Sequence, residues 1–224
     1  MNIKNLPKHI AIILDGNGRW ATRFKLPRST GHYQGGFNVA RIAEHAKKRG
    51  IEELTVYAFS TENWKRPPEE VEYLMTKPIE VVNQPKNRQK ILESNIQIRF
   101  KGRRDRISKA LIELMDEIEL QTKDFTGMVL NICIDYGSYD EIINAVKQLR
   151  TFDEKSLCQH MMINRSVDLL IRTGGEQRLS NFLLWQAAYA ELYFTKVYWP
   201  SFKEKHLDKA LKEFSKRQRR FGGL

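Results

Sequence analysis

The apolar positions of this chain fall into short continuous runs separated by amphipathic stretches. Ile10 to Leu14 is an unbroken apolar run rich in isoleucine, the pattern of a strand buried on both faces. Leu54 to Phe59, Met128 to Ile134 and Val167 to Ile171 repeat it, and Leu192 to Phe194 is a shorter version. Ile96, Ile98 and Phe100 alternate with polar residues, as in a strand with one face less deeply buried. Helical patterns lie between these runs. The first spans about Gly36 to Arg49, with Phe37, Ala40, Ala43 and Ala46 at three-residue steps and Gly50 as its stop. A second opens near Glu69 with Glu69, Glu70 and Glu72 in its first turn, where the helix dipole favours acids. Pro78, Pro85 and the polar stretch Asn83 to Lys90 predict that this helix is kinked or broken. Further helices are predicted around Ile107, Leu111, Leu114 and Ile118, over Tyr139 to Leu149, over Phe182 to Ala190 and over Lys203 to Arg217.

Strands alternating with helices predict an α/β fold: a single domain over residues 1–224, with a mainly parallel sheet of about six strands and helices on both faces. Ligands of such sheets bind beyond the carboxyl ends of the strands. Three polar loops follow predicted strand ends, after Leu14, Phe59 and Ile171, and are expected to converge on one site.

Composition narrows the setting. A chain of 224 residues buries about 70% of its unfolded surface, so no metal or disulfide staple is needed for folding. Cys133 and Cys158 read as isolated thiols, as in a reducing compartment, and no run reaches the roughly 18 apolar residues of a membrane span. The N-terminal residues lack an apolar signal core, so a cytoplasmic protein is expected. The formal charge of +11 invites a nucleic-acid or anionic-membrane reading. The excess is spread over Lys47-Lys48-Arg49, Arg103-Arg104 and Lys216 to Arg220, with few interleaved aromatics, and no nucleic-acid partner is expected.

The candidate chemistry sits in the three loops. Asp15-Gly16-Asn17-Gly18-Arg19 can turn from the first strand into a helix whose start offers free N–H groups, with glycines that let a phosphate approach the backbone. Arg19 adds a fixed charge, while Asp15 would repel an anion unless a divalent metal lay between them. An ordinary turn is the plainer alternative. A dinucleotide site is the other, but it needs an acid some 20 positions on, and residues 35–41 contain none. Arg28, Arg66, Arg172 and Arg178 lie beside Gly, Ser or Trp and look like further anion ligands. Five arginines beside one metal-ready carboxylate suit two diphosphates, and Trp20, Phe24, Leu26, Phe59 and Trp64 could receive hydrocarbon tails.

Four motifs carry a family resemblance. The runs from His9 to Ala21, Tyr57 to Pro67, Ile171 to Gln186 and Tyr189 to Phe194, with Gly31-His32, resemble the cis-prenyltransferases over nearly the whole chain and in the same order. The resemblance implies a magnesium-dependent enzyme that adds isopentenyl diphosphate repeatedly to an allylic diphosphate such as farnesyl diphosphate. The product would be a polyprenyl diphosphate, the undecaprenyl carrier lipid of cell-wall synthesis. It implies that Asp15 positions the metal, with Glu191 completing the metal site. Gly16, Asn17, Gly18, Arg19, Trp20, Arg28 and His32 would surround the allylic substrate. Ser60, Thr61, Glu62, Asn63, Trp64 and Arg66 would form a mobile loop, with Asn63 as proton acceptor. Arg172, Arg178 and Ser180 would hold isopentenyl diphosphate. A homodimer is implied, with Arg220-Phe221-Gly222 reaching toward the partner's site, as is peripheral contact with the inner face of the membrane through the lipid product. Two departures stand out. Relatives usually show Asn-Tyr-Gly-Gly-Arg where this chain has Asp135-Tyr136-Gly137-Ser138-Tyr139, and the prolines at 78 and 85 fall in the helix expected to line the product tunnel. Two rival readings are a shorter-chain cis-prenyl diphosphate synthase and a non-catalytic partner subunit, the latter opposed by the presence of Asp15, Arg19, Asn63 and Arg178.

Overall fold

A computed structural model describes residues 5–217. Its elements, in chain order, are β1 (His9–Ile13), α1 (Asn17–Arg23), α2 (Arg28–Lys48), β2 (Glu53–Ser60), α3 (Pro68–Val82), α4 (Pro85–Glu93), β3 (Gln97–Lys101), α5 (Lys109–Thr122), β4 (Val129–Tyr136), α6 (Ser138–Val146), α7 (Glu154–His160), β5 (Leu169–Arg172), β6 (Glu191–Phe194) and α8 (Glu204–Ser215). A short 3-10 turn, Thr61–Lys65, leaves the end of β2. The strands form one six-stranded sheet in the order β3-β4-β2-β1-β5-β6, and every neighbouring pair is parallel.

The continuous apolar run of β1 has its cause in this order. As a central strand it is covered on both faces, so Ile10 and Ile12 enter one core cluster while Ala11 and Ile13 enter the other, with the two-residue period of a strand. The first cluster is closed by Ile42, Ala43 and Ala46 of α2, Met75 of α3, Leu111, Leu114 and Ile118 of α5, and Leu207, Leu211 and Phe214 of α8. The second packs Tyr57, Cys133 and Leu170 against Phe182 and Leu183. α6 lies on the same side, where its Glu141 accepts the Tyr136 hydroxyl and a hydrogen bond from Gln186.

Two sequence-based boundaries change. α2 begins at Arg28, not near Gly36, because Gly31 and Gly35 serve close packing and do not mark a helix start. A Cβ on Gly31 would lie 2.0 Å from the Asn17 carbonyl oxygen, and one on Gly35 would lie 2.4 Å from Asn17 Oδ1, so α1 can rest on α2 only at glycines. The predicted helix over Phe182–Ala190 is instead a series of turns. Ser180, Asn181 and Leu183 have φ of 51°, 61° and 49°, which no right-handed helix admits. Its backbone groups are also bonded elsewhere: Leu184 N–H donates to Ser138 Oγ at 3.0 Å and the Gln186 carbonyl accepts from Val167 N–H at 2.8 Å. The predicted break occurs at only one of the two prolines: α3 runs through Pro78 and ends at Val82, and Pro85 opens α4 where its missing N–H costs nothing.

Candidate functional site

The loops after β1, β2 and β5 start from three adjacent strands. Ile13 is in register with Tyr57 on one side and Arg172 on the other, so β1 and β5 end level, β2 runs three residues further to Ser60, and all three loops leave the same edge of the sheet. Leaving β1, the chain reverses at Gly16, whose φ of 102° suits glycine and whose missing Cβ would fall 2.6 Å from the Tyr198 ring. The first hydrogen bond of α1 is donated by Trp20 N–H to the Gly16 carbonyl. The N–H groups of Asn17, Gly18 and Arg19 therefore belong to the turn that lacks intrahelical acceptors. Asn17 instead spends its side chain on structure, donating from Nδ2 to the Leu14 carbonyl at 3.2 Å while its Oδ1 is buried with no protein partner.

Asp15 is the hub of the first cluster. Its Oδ1 accepts from Arg19 at 2.9 Å and its Oδ2 from Arg172 at 3.1 Å, while its carbonyl is fixed by Thr173 Oγ1 at 2.7 Å and Trp199 N–H at 3.0 Å. The Arg172 side chain is only 6% exposed and also donates to Ser180 Oγ at 2.7 Å and to the Arg178 carbonyl. Its Nε is buried without a protein acceptor. Glu176 joins the cluster from the β5 loop, pairing with Arg178 at 2.6 Å and with Arg19 at 3.6 Å. Glu176 lies inside the motif from Ile171 to Gln186, but nothing in its local pattern marks it as a partner of arginines.

A second cluster gathers around Glu70, the first-turn acid of α3. Arg28 Nε donates to its Oε2 at 3.1 Å, while Arg66 at 2.8 Å and His32 Nε2 at 3.1 Å donate to its Oε1. Burial pushes the Glu70 carboxyl up, but the hydrogen bonds and charges of Arg28 and Arg66 outweigh it and hold the group below its ordinary value. Burial lowers His32 by more than Glu70 raises it, so the imidazole is neutral near pH 7 and donates one proton to the carboxylate. The two clusters meet at Gly18, where a Cβ would fall 2.6 Å from the Arg28 guanidinium carbon. Trp20 closes this side, with its indole N–H on Ser201 Oγ at 2.9 Å and its ring 5.0 Å from Phe24.

The turn after β2 is tied down residue by residue. Ser60 N–H donates to Asn63 Oδ1 at 3.1 Å, which leaves the Asn63 amide nitrogen as its donor end. Glu62 accepts from Asn181 at 3.0 Å, a bond that offsets burial and keeps its carboxyl below the usual value. Thr61 packs by its hydroxyl against Gly137, where a Cβ would sit 2.6 Å away. The Trp64 ring meets Phe59 edge-on at 5.2 Å.

One expected member is not in this group. Glu191 opens β6 in register with Leu169, three residues before Arg172, which places it about 10 Å back along the strands from their carboxyl ends. Its carboxylate is held by Arg217 at 2.6 Å. Within one chain it therefore lies apart from Asp15, and Glu176 is the carboxylate that the β5 loop brings nearby. No group of three or more His, Cys, Asp or Glu side chains suited to a metal occurs among the described residues. A single carboxylate still fits magnesium, which keeps several waters and takes one or two protein carboxylates together with substrate phosphates.

Comparison with known proteins identifies the family. Residues 13–222 match the family model described as "Putative undecaprenyl diphosphate synthase". The chain is 46% identical to the isoprenyl transferase of Aquifex aeolicus, with 99% of this chain and 98% of that protein covered, and 45% identical to that of Bacillus cereus, with 98% and 89% covered. Among solved structures, lavandulyl diphosphate synthase from Lavandula x intermedia superposes with a TM-score of 0.86 at 33% identity, covering 97% of this chain and 99% of that one. A structure described as "a probable undecaprenyl diphosphate synthase" from Campylobacter jejuni gives 0.80 at 32%, covering 98% and 100%. With a parallel sheet, three loops converging on clustered arginines, and identity of this level over its whole length, the chain belongs to the isoprenyl transferase (undecaprenyl diphosphate synthase) family of cis-prenyltransferases and is a prenyl-transferring enzyme.

Proposed function

We propose that this enzyme condenses isopentenyl diphosphate repeatedly onto an allylic diphosphate such as farnesyl diphosphate, forming cis double bonds and releasing the undecaprenyl diphosphate carrier used in cell-wall synthesis. The observation that carries the reading is the pair of adjoining cationic clusters. Arg19, Arg172 and Arg178 surround Asp15 and Glu176, while Arg28, His32 and Arg66 surround Glu70. Each has the donors for a diphosphate, and in each the arginines are paired with the protein's own carboxylates, with Arg172 Nε left over in the first. The lavender relative, whose structure holds dimethylallyl diphosphate, supports a diphosphate ligand for the fold.

The chemistry follows from these residues. Ionisation of the allylic C–O bond moves negative charge onto the departing diphosphate. Donors fixed beforehand stabilise that charge more in the transition state than in the substrate. Arg19, Arg28, His32 and the N–H groups of the first turn of α1 act on the allylic diphosphate; Arg172, Arg178 and Ser180 hold isopentenyl diphosphate. Magnesium, carried by Asp15 and the substrate phosphates, would neutralise further charge on the leaving group. The isopentenyl double bond then attacks the allylic carbon, and a proton leaves the neighbouring carbon. Asn63 Oδ1 is already bonded to Ser60 N–H, which supports an orienting role through its amide N–H groups and a phosphate oxygen as proton acceptor.

A homodimer is part of the proposal. Tyr139, Ile143 and Val146 are exposed along one face of α6 at helical spacing, and Trp185 (38% exposed), Tyr189 (70%) and Leu192 follow on the adjoining chain. The turns that replace the predicted helix bring Trp185 to this surface. The element Arg220-Phe221-Gly222 lies outside the described residues. No helix among the described residues is long and apolar enough to cross a membrane, and contact with its inner face would come through the lipid product. The test is incubation with farnesyl diphosphate, labelled isopentenyl diphosphate and magnesium, with and without chelator. A metal-dependent ladder of products is expected, its longest rung giving the chain length. Absence of transfer by the folded protein with any allylic primer would overturn the reading.

A further inference from the structure

Asp135 lies just beyond the site as drawn above, and the reaction has so far left it without a task. It is 0% exposed near the end of β4 and holds a left-handed backbone, φ 49°. Few residues other than glycine take that conformation readily; asparagine and aspartate are the usual exceptions. The segment before α5 wraps around it: Arg103 N–H donates to its carbonyl at 3.1 Å, and Gly102 approaches so closely that a Cβ there would fall 1.9 Å from the Ile134 carbonyl oxygen. Its carboxylate has two partners. Arg106 donates to Oδ2 from Nε at 3.0 Å and to Oδ1 from its terminal nitrogen, while the Trp64 indole N–H donates to Oδ1 at 2.8 Å. Arg106 also lies over the Trp64 ring, 5.2 Å from its centre.

We infer that Asp135 and Arg106 are positioning residues for the substrate loop, acting through Trp64. The tryptophan is clamped in two directions, by a hydrogen bond in its plane and by a cation against its face. It stands next to Asn63, whose side chain closes the same 3-10 turn, and two residues before Arg66 of the second anion cluster. Fixing the indole thus fixes the turn between two groups that must meet substrate. The ion pair, buried on its Asp135 side, is anchored outside the loop, on β4 and the chain leading into α5, so the loop is referred to the rigid sheet and not to its own backbone. The inference deepens the proposed reaction and rests on it for the activity of the loop, though not for the clamp itself.

The test uses the full chain carrying 5-fluorotryptophan, whose four tryptophans give four fluorine resonances. Trp64→Phe identifies one of them. Asp135→Gly keeps the left-handed backbone and removes the acceptor; Asp135→Asn keeps both. The glycine variant is expected to shift the Trp64 resonance and lower kcat/KM for prenyl transfer about tenfold or more, while Asp135→Asn restores both to within about twofold of the parent. The double variant Asp135→Gly/Trp64→Phe should lose no more than the worse single change, since both act through one contact. Arg106→Met, at a side chain 36% exposed, should shift the same resonance and serves if the glycine variant does not fold. A stationary Trp64 resonance in these variants, or losses that multiply in the double variant, would overturn the inference. A parent enzyme inactive on every prenyl substrate would refute the proposed reaction, and the resonance would still decide the clamp.

Discussion

Replacing Asp15 by alanine should cost stability as well as turnover. The carboxylate accepts one arginine on each oxygen, and Arg172 among them is only 6% exposed, so the change leaves a nearly buried guanidinium without its counter-charge. A hydrogen bond to a charged group contributes about 1.5–3 kcal/mol, and stranding one member of a buried pair costs about 3–5 kcal/mol. Asp15 itself is 25% exposed and water reaches it, which lowers the figure to about 2–4 kcal/mol. For a chain of this size each kcal/mol corresponds to about 2–4 °C in Tm, so a fall of about 5–15 °C is expected in calorimetry without ligand or magnesium. Asp15→Asn, which keeps an acceptor for one arginine, should fall about half as far. Turnover should drop by about three to four orders of magnitude, equivalent to about 4–5.5 kcal/mol of transition-state stabilisation. An unchanged Tm would refute the role of Asp15 as counter-charge to Arg172. Unimpaired turnover would refute its role at the metal.

Further tests follow from the packing and the buried groups. Gly31→Ala should separate α1 from α2, because its Cβ would meet the Asn17 carbonyl at 2.0 Å; a large loss of stability and of diphosphate binding is expected in denaturant titrations, and a neutral effect would show that the two helices can part freely. His9 is fully buried, with Nδ1 donating to the Ser166 carbonyl at 3.1 Å and Nε2 accepting from Thr55 Oγ1 at 2.8 Å, and burial lowers its pKa despite Glu53 nearby. Below about pH 6.5 the unfolded chain takes up a proton that the folded chain refuses, so stability should fall on acidification by up to about 1.4 kcal/mol per pH unit from this residue. His9→Gln should flatten the dependence between pH 6.5 and 5, and parallel curves would contradict the assignment. Ile143→Glu, on the exposed apolar face of α6, should yield monomers in sedimentation; an unchanged dimer would place the interface elsewhere.

The parts of this protein that were legible in its sequence are those governed by local patterning. The apolar run of β1, the alternation of Ile96, Ile98 and Phe100, and Pro85 each led to the observed element because burial and backbone chemistry act there through neighbouring residues, whereas Pro78 is carried inside α3. The misread stretches are those where tertiary contacts prevail. Phe182–Ala190 has the composition of a helix, but its backbone is bonded to Ser138 and Val167. Gly31 and Gly35 look like poor helix formers and are needed inside α2 for contact with α1. The three loops with their arginines could be read because each follows a strand end, whereas the residues that hold them could not. Glu70 passed as an ordinary first-turn acid, and Asp135 showed only as a departure from the family pattern. Glu191 is assigned to the metal by motif alone, and within one chain strand register sets it about 10 Å back from the carboxyl ends of the strands.

The central claim is that one site holds two diphosphates side by side. The most direct measurement is calorimetric titration of the enzyme and magnesium with a non-ionisable thio analogue of farnesyl diphosphate, followed by isopentenyl diphosphate. One molecule of each per chain is expected to bind at once, the first weakened by Asp15→Ala and the second by Arg178→Ala. Mutual exclusion of the two ligands would contradict the account.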